Sequence, residues 1–295
     1  MQKTNKLSNL YRLNAKSALL VLVYLFKKVL RIKVSSTENE TYILYNYLLK
    51  NDGYLKEENT TSYTCIFKKN REKKIILRKN PSSDLAVFNQ VYGWLEYQKV
   101  VETYKNSFNY NPENEINIID AGSNIGLTSL YFLDYFKQVN LISVEPEKEN
   151  FKVLQANLQN LPKQFQTQQI NGGIWSSDTF LKIVSDFRDQ SDWSFRVEET
   201  NNPNDIKAYS ISSLLKSNNW NTIDILKIDI EGSEKQIFDV QNSDVSFLSK
   251  TKCIAIEIHD EFNCREMIYQ VLSDFNFTYF NNGELTIGVN QNFSS

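Results

Sequence analysis

The chain has 295 residues, a formal net charge of −2, 41% hydrophobic and 13% aromatic residues, nine Gly and five Pro. This composition excludes a disordered chain and is long enough for one full α/β core plus an appendage. Three cysteines, Cys65, Cys253 and Cys264, form no Cys-x-x-Cys, so neither a disulfide framework nor a zinc site is indicated and a reducing compartment fits.

Charge is unevenly placed. Lys3, Lys6, Arg12, Lys16, Lys27, Lys28, Arg31 and Lys33 all precede the first acid, Glu38, which leaves the rest of the chain near −10. An acidic body argues against a nucleic-acid partner. Nine apolar residues run from Ala18 to Phe26, fewer than the ~20 that span a bilayer, and no small-residue cleavage site follows them. On a helical wheel Lys16, Ser17, Tyr24, Lys27, Lys28 and Arg31 fall on one side, with Leu19, Leu22, Val23, Phe26 and Leu30 elsewhere. Residues 1–37 thus form a basic amphipathic segment that either touches an anionic membrane through residues 12–34 or packs on protein.

Residues 38–110 read as an N-terminal α+β cap. Thr41 to Lys50 has a helical pattern, and Tyr63–Lys68 with Lys73–Lys79 reads as a hairpin. Asp84 is placed to cap a helix through Tyr92, and Trp94 to Tyr104 continues helically. Asn109 to Asn114, with Pro112, marks a boundary, after which residues 111–295 form a cofactor-binding domain. There strands alternate with helices: strand 116–120, helix 126–136, strand 140–145, helix 147–160, strand 165–170. Strand 223–229, a helix after Gly232, strand 253–258, a helix near 263–275 and a hairpin at 277–289 complete it. Alternation of this kind predicts a parallel sheet with helices on both faces. Between them, Val184 to Ile206 is a polar excursion carrying Trp193, Phe195 and Arg196, placed as a lid over the active-site edge.

The most informative stretch is Ile-Asn-Ile-Ile-Asp-Ala-Gly-Ser-Asn-Ile-Gly at 116–126. An apolar strand delivers Asp120, Gly122 permits a tight turn, Gly126 lets the next helix pack down, and Ser123 and Asn124 lie between. Glu145 ends the next strand, near the spacing of roughly 20 at which an acid reaches a ribose. A dinucleotide fingerprint from Gly122 needs glycines at 124 and 127, where the chain has Asn124 and Leu127. The turn therefore suits a nucleoside cofactor without phosphates, S-adenosylmethionine. Trp175, after Asn171-Gly172-Gly173-Ile174, is placed to wall the adenine pocket.

Ligands of open α/β sheets bind beyond the carboxyl ends of the strands. Two later strands end there in Asp229 and Glu231, and in Glu257 and His259. Lys227, inside a buried strand, requires a carboxylate partner from Asp229, Glu231 or Glu257. His259, the sole histidine, is the leading candidate base for a hydroxyl acceptor, with Asp229 and Glu231 as further catalytic candidates. Asp229, Glu231, Glu257 and His259 lack the spacing of a metal cage, so no metal is expected.

Taken together, Ile-Asp-Ala-Gly-Ser-Asn-Ile-Gly-Leu-Thr-Ser at 119–129, Val-Glu-Pro-Glu-Lys-Glu-Asn-Phe-Lys-Val-Leu-Gln-Ala-Asn at 144–157 and Leu-Lys-Ile-Asp-Ile-Glu-Gly-Ser-Glu at 226–234 resemble the FkbM-type S-adenosylmethionine-dependent methyltransferases. Leu77-Arg78, Ser83-Asp84-Leu85 and Glu96-Tyr97 resemble the extended N-terminal region of bacterial members, so the resemblance covers roughly 75–290. It implies a seven-stranded Rossmann-like sheet, O-methylation of a sugar, glycolipid or polysaccharide precursor, and cofactor contacts at Asp120, Gly122, Asn124 and Glu145. Asp229 stands where enzymes of nucleic-acid amines carry Asn-Pro-Pro-Tyr. Methylation of a phenolic or polyketide hydroxyl, and a non-catalytic scaffold on the membrane, are the alternatives. The expected location is cytoplasmic, with peripheral contact at the inner face of the membrane.

Overall fold

The computed structural model describes residues 7–184 and 196–294. They form two compact units, Met1–Leu95 and Glu96–Ser295.

The first unit opens with a 3-10 turn at Leu7–Arg12, followed by helices α1 (Ala15–Val29) and α2 (Ser36–Lys50). Asn14 caps α1 by accepting from the Ser17 N–H, and Ser35 with Glu38 closes a reciprocal capping box on α2, satisfying N–H groups that the first turn leaves unpaired. The two helices pack through Val21 and the stacked rings of Tyr24 and Tyr42, 4.1 Å apart. Strands β1 (Gly53–Glu58), β2 (Ser62–Phe67) and β3 (Lys73–Arg78) make an antiparallel sheet, so the expected hairpin gains a third strand. A short helix α3 (Asp84–Phe88) runs into a π-turn at Asn89–Gly93. Asp84, fully buried, accepts from the Arg78 backbone N–H at 2.7 Å and from its guanidinium at 2.8 Å.

The second unit begins with α4 (Gln98–Ser107), then β4 (Ile116–Ala121), α5 (Leu127–Tyr135), β5 (Val139–Glu145), α6 (Lys148–Asn157) and β6 (Phe165–Asn171). There follow β7 (Gly173–Ile174), β8 (Thr179–Val184), β9 (Arg196–Thr200), β10 (Ile206–Tyr209), α7 (Ile211–Ser217), β11 (Ile223–Ile228), α8 (Glu234–Phe238), β12 (Thr251–Glu257), α9 (Arg265–Asp274), β13 (Phe277–Asn282) and β14 (Leu285–Asn290). Seven strands form the main sheet in the order β13-β14-β12-β11-β4-β5-β6, parallel except for β14, which runs against both its neighbours. It is a Rossmann-like methyltransferase sheet. The central strands are near-continuous apolar runs because helices cover both faces. Leu226, Ile228, Ile254 and Ile256 pack with residues of α7, α8 and α9.

α4, expected in the cap, packs on β12 and β14 within the second unit, so the units part after Leu95 rather than at 109–114. Its amphipathic face puts Val100, Val101 and Tyr104 inward. The excursion after β7 is a second, four-stranded sheet, β7-β10-β8-β9. Residues 185–195 of the expected lid, with Trp193 and Phe195, lie outside the described residues, as do the side chain of Arg196 and residues 1–6 with Lys3 and Lys6.

Asp224 ties α4 to the amino-terminal end of the sheet. It accepts from the Tyr104 hydroxyl (2.7 Å), the Lys252 ammonium (2.7 Å) and the Asn117 backbone N–H (2.8 Å). Asp224→Ala leaves all three donors in a largely buried site, at roughly 1–3 kcal/mol for each unsatisfied group if they find no water. A loss of about 3 kcal/mol in chemical denaturation is expected, whereas a loss below about 1 kcal/mol would show that the cluster does not hold the helix.

Candidate active site

The carboxyl ends of β4, β5 and β11 meet at one turn. Gly122 has φ 78°, and a Cβ there would lie 1.7 Å from the Asp229 carbonyl oxygen, so only glycine allows β11 to approach. The N–H groups of Gly122 and Ser123 both donate to the Val144 carbonyl, at 3.0 and 2.9 Å, binding the turn to β5. The Ser123 hydroxyl donates to the Asp120 carbonyl at 2.6 Å. Gly126, φ 81°, caps α5 and sits against Leu154 of α6.

Beneath the turn lies Lys227, 2% exposed. Its ammonium donates to the carbonyls of Gly122 (2.5 Å) and Ala121 (3.3 Å) and pairs with Asp120 (3.3 Å) and Asp229 (3.5 Å). Burial opposes its charge, but Asp120 and Asp229 outweigh that and hold its pKa well above the ordinary value. Asp120 also accepts from Ser129 at 2.6 Å. Fully buried, it acts behind the turn and does not line the cavity in front of it.

That cavity is lined by Gly122, Asn124, Glu145, Asp229 and Glu231, with Pro146, Glu147, Asn150 and residues 172–174. Glu145 accepts from the N–H groups of Asn124 (2.8 Å) and Glu147 (2.9 Å). Burial pushes its carboxyl up to about 7 despite those two donors. The Asn124 side-chain oxygen is buried without a hydrogen-bond partner, an acceptor left over for a ligand. A carboxyl group at the end of β5 lining the cavity, an amide oxygen without a hydrogen-bond partner and a turn without the pyrophosphate glycines fit S-adenosylmethionine.

The family model described as Methyltransferase FkbM domain matches residues 120–279, more than half of the chain. The chain belongs to the FkbM methyltransferase family. It is an S-adenosylmethionine-dependent methyltransferase. No curated protein sequence matches it. Among solved structures, the N-terminal domain of human METTL16 matches at 10% identity over 94% of this chain and 92% of that one, with a TM-score of 0.45. The same human domain in complex with SAH matches at 11% identity over 68% and 70%, TM-score 0.41. Precorrin-6y C5,15-methyltransferase from Geobacter metallireducens GS-15 matches at 8% identity over 65% and 89%, TM-score 0.36. These distant likenesses carry no argument about what the FkbM chain methylates.

The acidic residues expected at the strand ends do meet. Asp229, Glu231 and His259 have ligating atoms within 4.8 Å of one another. His259 lies between two carboxylates, with Nε2 3.4 Å from Glu231 and Nδ1 3.1 Å from Glu234. Burial disfavours its charge, but Glu231 and Glu234 push its pKa up to about 11, so the imidazole holds its proton at neutral pH. Glu234, fully buried, was not singled out from the sequence. It also accepts from the N–H groups of Ile230 and Gly232, so it fixes the bend after β11 that carries Glu231, φ 52°.

Trp175 does not face the cavity of Glu145. Ile174 lines that one, and Trp175, just past the end of β7, lines a neighbouring cavity with Phe262, Gln236, Lys235 and Glu231. Glu231 borders both.

Further carboxyls are raised at this edge, Glu257 to about 8 and Glu96 to about 7, chiefly by burial and then by the Asp229 charge. A carboxyl whose folded pKa exceeds its ordinary value of 4.5 contributes stability that is present below about 4.5 and lost as pH rises through 7 to 8. His259 adds the same sign between its ordinary 6.5 and about 11. Thermal stability is therefore expected to fall from pH 5 to pH 9, and Glu257→Gln to flatten the fall between about pH 5 and 8. An unchanged slope in that variant would show that Glu257 titrates normally.

Proposed function

We propose that this FkbM protein transfers the methyl group of S-adenosylmethionine to a hydroxyl of a sugar, glycolipid or polysaccharide precursor in the cytoplasm. The observation that carries this reading is the pair of carboxylates, Asp229 and Glu231, lining the same cavity as Gly122, Asn124 and Glu145. The bound cofactor supplies a methyl already activated on a sulfonium, so the protein has to align the acceptor oxygen and take its proton. Glu145 holds the ribose hydroxyls, and the Asn124 oxygen accepts from the amino-acid end.

On transfer of that methyl to the acceptor oxygen, Glu231, with Asp229 beside it, would take the hydroxyl proton. Burial raises Glu231 above the usual carboxylate range although His259 pulls it down, which makes it a better acceptor than an exposed carboxylate. His259 is then a positioning residue that orients Glu231, and Glu234 orients His259. The neighbouring cavity supports a carbohydrate acceptor over a phenolic one, because Trp175 and Phe262 offer ring faces while Glu231, Lys235 and Gln236 offer hydrogen bonds to hydroxyls.

Calorimetry with S-adenosylhomocysteine tests the cofactor site. Tight binding is expected, weakened in Glu145→Ala by about 1.5–3 kcal/mol, the worth of a hydrogen bond to a charged group; absence of binding by the wild type would end the reading. Glu231→Gln is expected to lower turnover by roughly 10² to 10⁴ while S-adenosylhomocysteine affinity holds. No metal takes part on this reading, so EDTA should leave turnover intact. Activity lost to EDTA and restored by Mg²⁺ would instead place a cation among Asp229, Glu231 and His259.

A further inference from the structure

α1 is turned the opposite way from an ordinary surface helix. Its buried positions, Ser17, Val21 and Tyr24, recur at helical spacing and pack on α2. Leu19, Leu22 and Phe26 each lie two residues from one of these, about 200° round a 3.6-residue helix, Val29 falls on the same outward side, and the four face solvent at 61%, 43%, 63% and 80% exposure. The stripe extends over the flanking turns through Leu30 and Ile32 on one side and Tyr11 and Leu7 on the other, all exposed. The side read from the sequence as cationic is in part satisfied within the protein. Lys27 pairs with Glu38 at 2.7 Å, Lys28 lies over the Tyr24 ring and Arg12 pairs with Asp52 at 2.9 Å.

A contiguous apolar stripe of this size on a folded surface marks an interaction site. We propose that the outward face of α1 inserts into the surface of a bilayer that carries anionic phospholipid. Charge selects this occupant. Lys16, Arg31 and Lys33 stand exposed beside the stripe, in no ion pair among the described residues, and no acid occurs before Glu38. Apposing two copies of the same face would bring these cations together with nothing to neutralise them, whereas lipid headgroups supply the opposite sign along the whole stripe. The helix lies in the interface instead of crossing it, since no helix among the described residues is long and apolar enough to span a membrane.

Flotation of the full chain with vesicles of phosphatidylcholine, with and without phosphatidylglycerol, tests this. The wild type should float with the anionic vesicles and weakly with the neutral ones, and lose binding as salt rises. Leu22→Glu with Phe26→Glu, both at exposed positions, should abolish flotation. Lys16→Glu, Arg31→Glu and Lys33→Glu together should weaken it by roughly five-fold per residue. Unchanged circular dichroism and S-adenosylhomocysteine binding in each variant would confirm folding. No flotation of the folded wild type, or undiminished flotation of the Leu22/Phe26 variant, would overturn the proposal. So would a solution dimer that this variant splits into monomers, because a second copy would then be what covers the face.

Discussion

A single buried ammonium organises the active-site end of the sheet. Lys227 reaches across from β11 to the carbonyls that end β4, and Asp120 and Asp229 neutralise it from two strands. An unpaired charge in such a place would cost several kcal/mol, so the three charged groups are interdependent. Removing one carboxylate leaves the lysine with a single counter-charge, and removing the lysine leaves Asp120 buried with a charge. The turn from Gly122 to Asn124 is thus held from below by an ion pair and from the side by the Val144 carbonyl, and its outer surface is left free for a ligand.

That division explains why residues one position apart differ so much in role. Asp120 and Ser123 spend their polar atoms inside the protein, on Lys227, Ser129 and the Asp120 carbonyl, while Gly122 and Asn124 face the cavity. Glu145 spans both groups. Its oxygens accept backbone N–H groups of Asn124 and Glu147, which ties the turn to the start of α6, yet the carboxylate still lines the cavity and keeps lone pairs to offer. The rigidity of the turn and its capacity to bind come from the same carboxylate.

The sequence made the main sheet legible because its central strands are uninterrupted apolar runs of Ile, Leu and Val, bounded by glycine turns and helical periodicity. β1 escaped notice because Gly-Tyr-Leu-Lys-Glu-Glu is polar on one face, and the small sheet escaped because β7 and β10 are two and four residues long and pair across the chain. Ser35 and Glu38 carried a readable capping signal that starts α2 earlier than its apolar pattern does. The location of the site was legible and its protonation was not. Strand-end position brought His259 to Asp229 and Glu231, but its charge rests on Glu231 together with Glu234, 25 residues away in sequence, whose burial no periodicity reveals.

The charge balance of the site agrees with the cofactor that the family uses. One lysine and one imidazolium stand against Asp120, Asp229, Glu231 and Glu234, and Glu96 and Glu257 are kept raised by burial and then by the Asp229 charge at the same edge. A surplus of buried negative charge repels phosphate groups and favours a cation. The loss of glycines at 124 and 127 and the excess of carboxylates are thus two expressions of one preference. A pyrophosphate would meet side chains where it needs bare backbone and like charge where it needs cations.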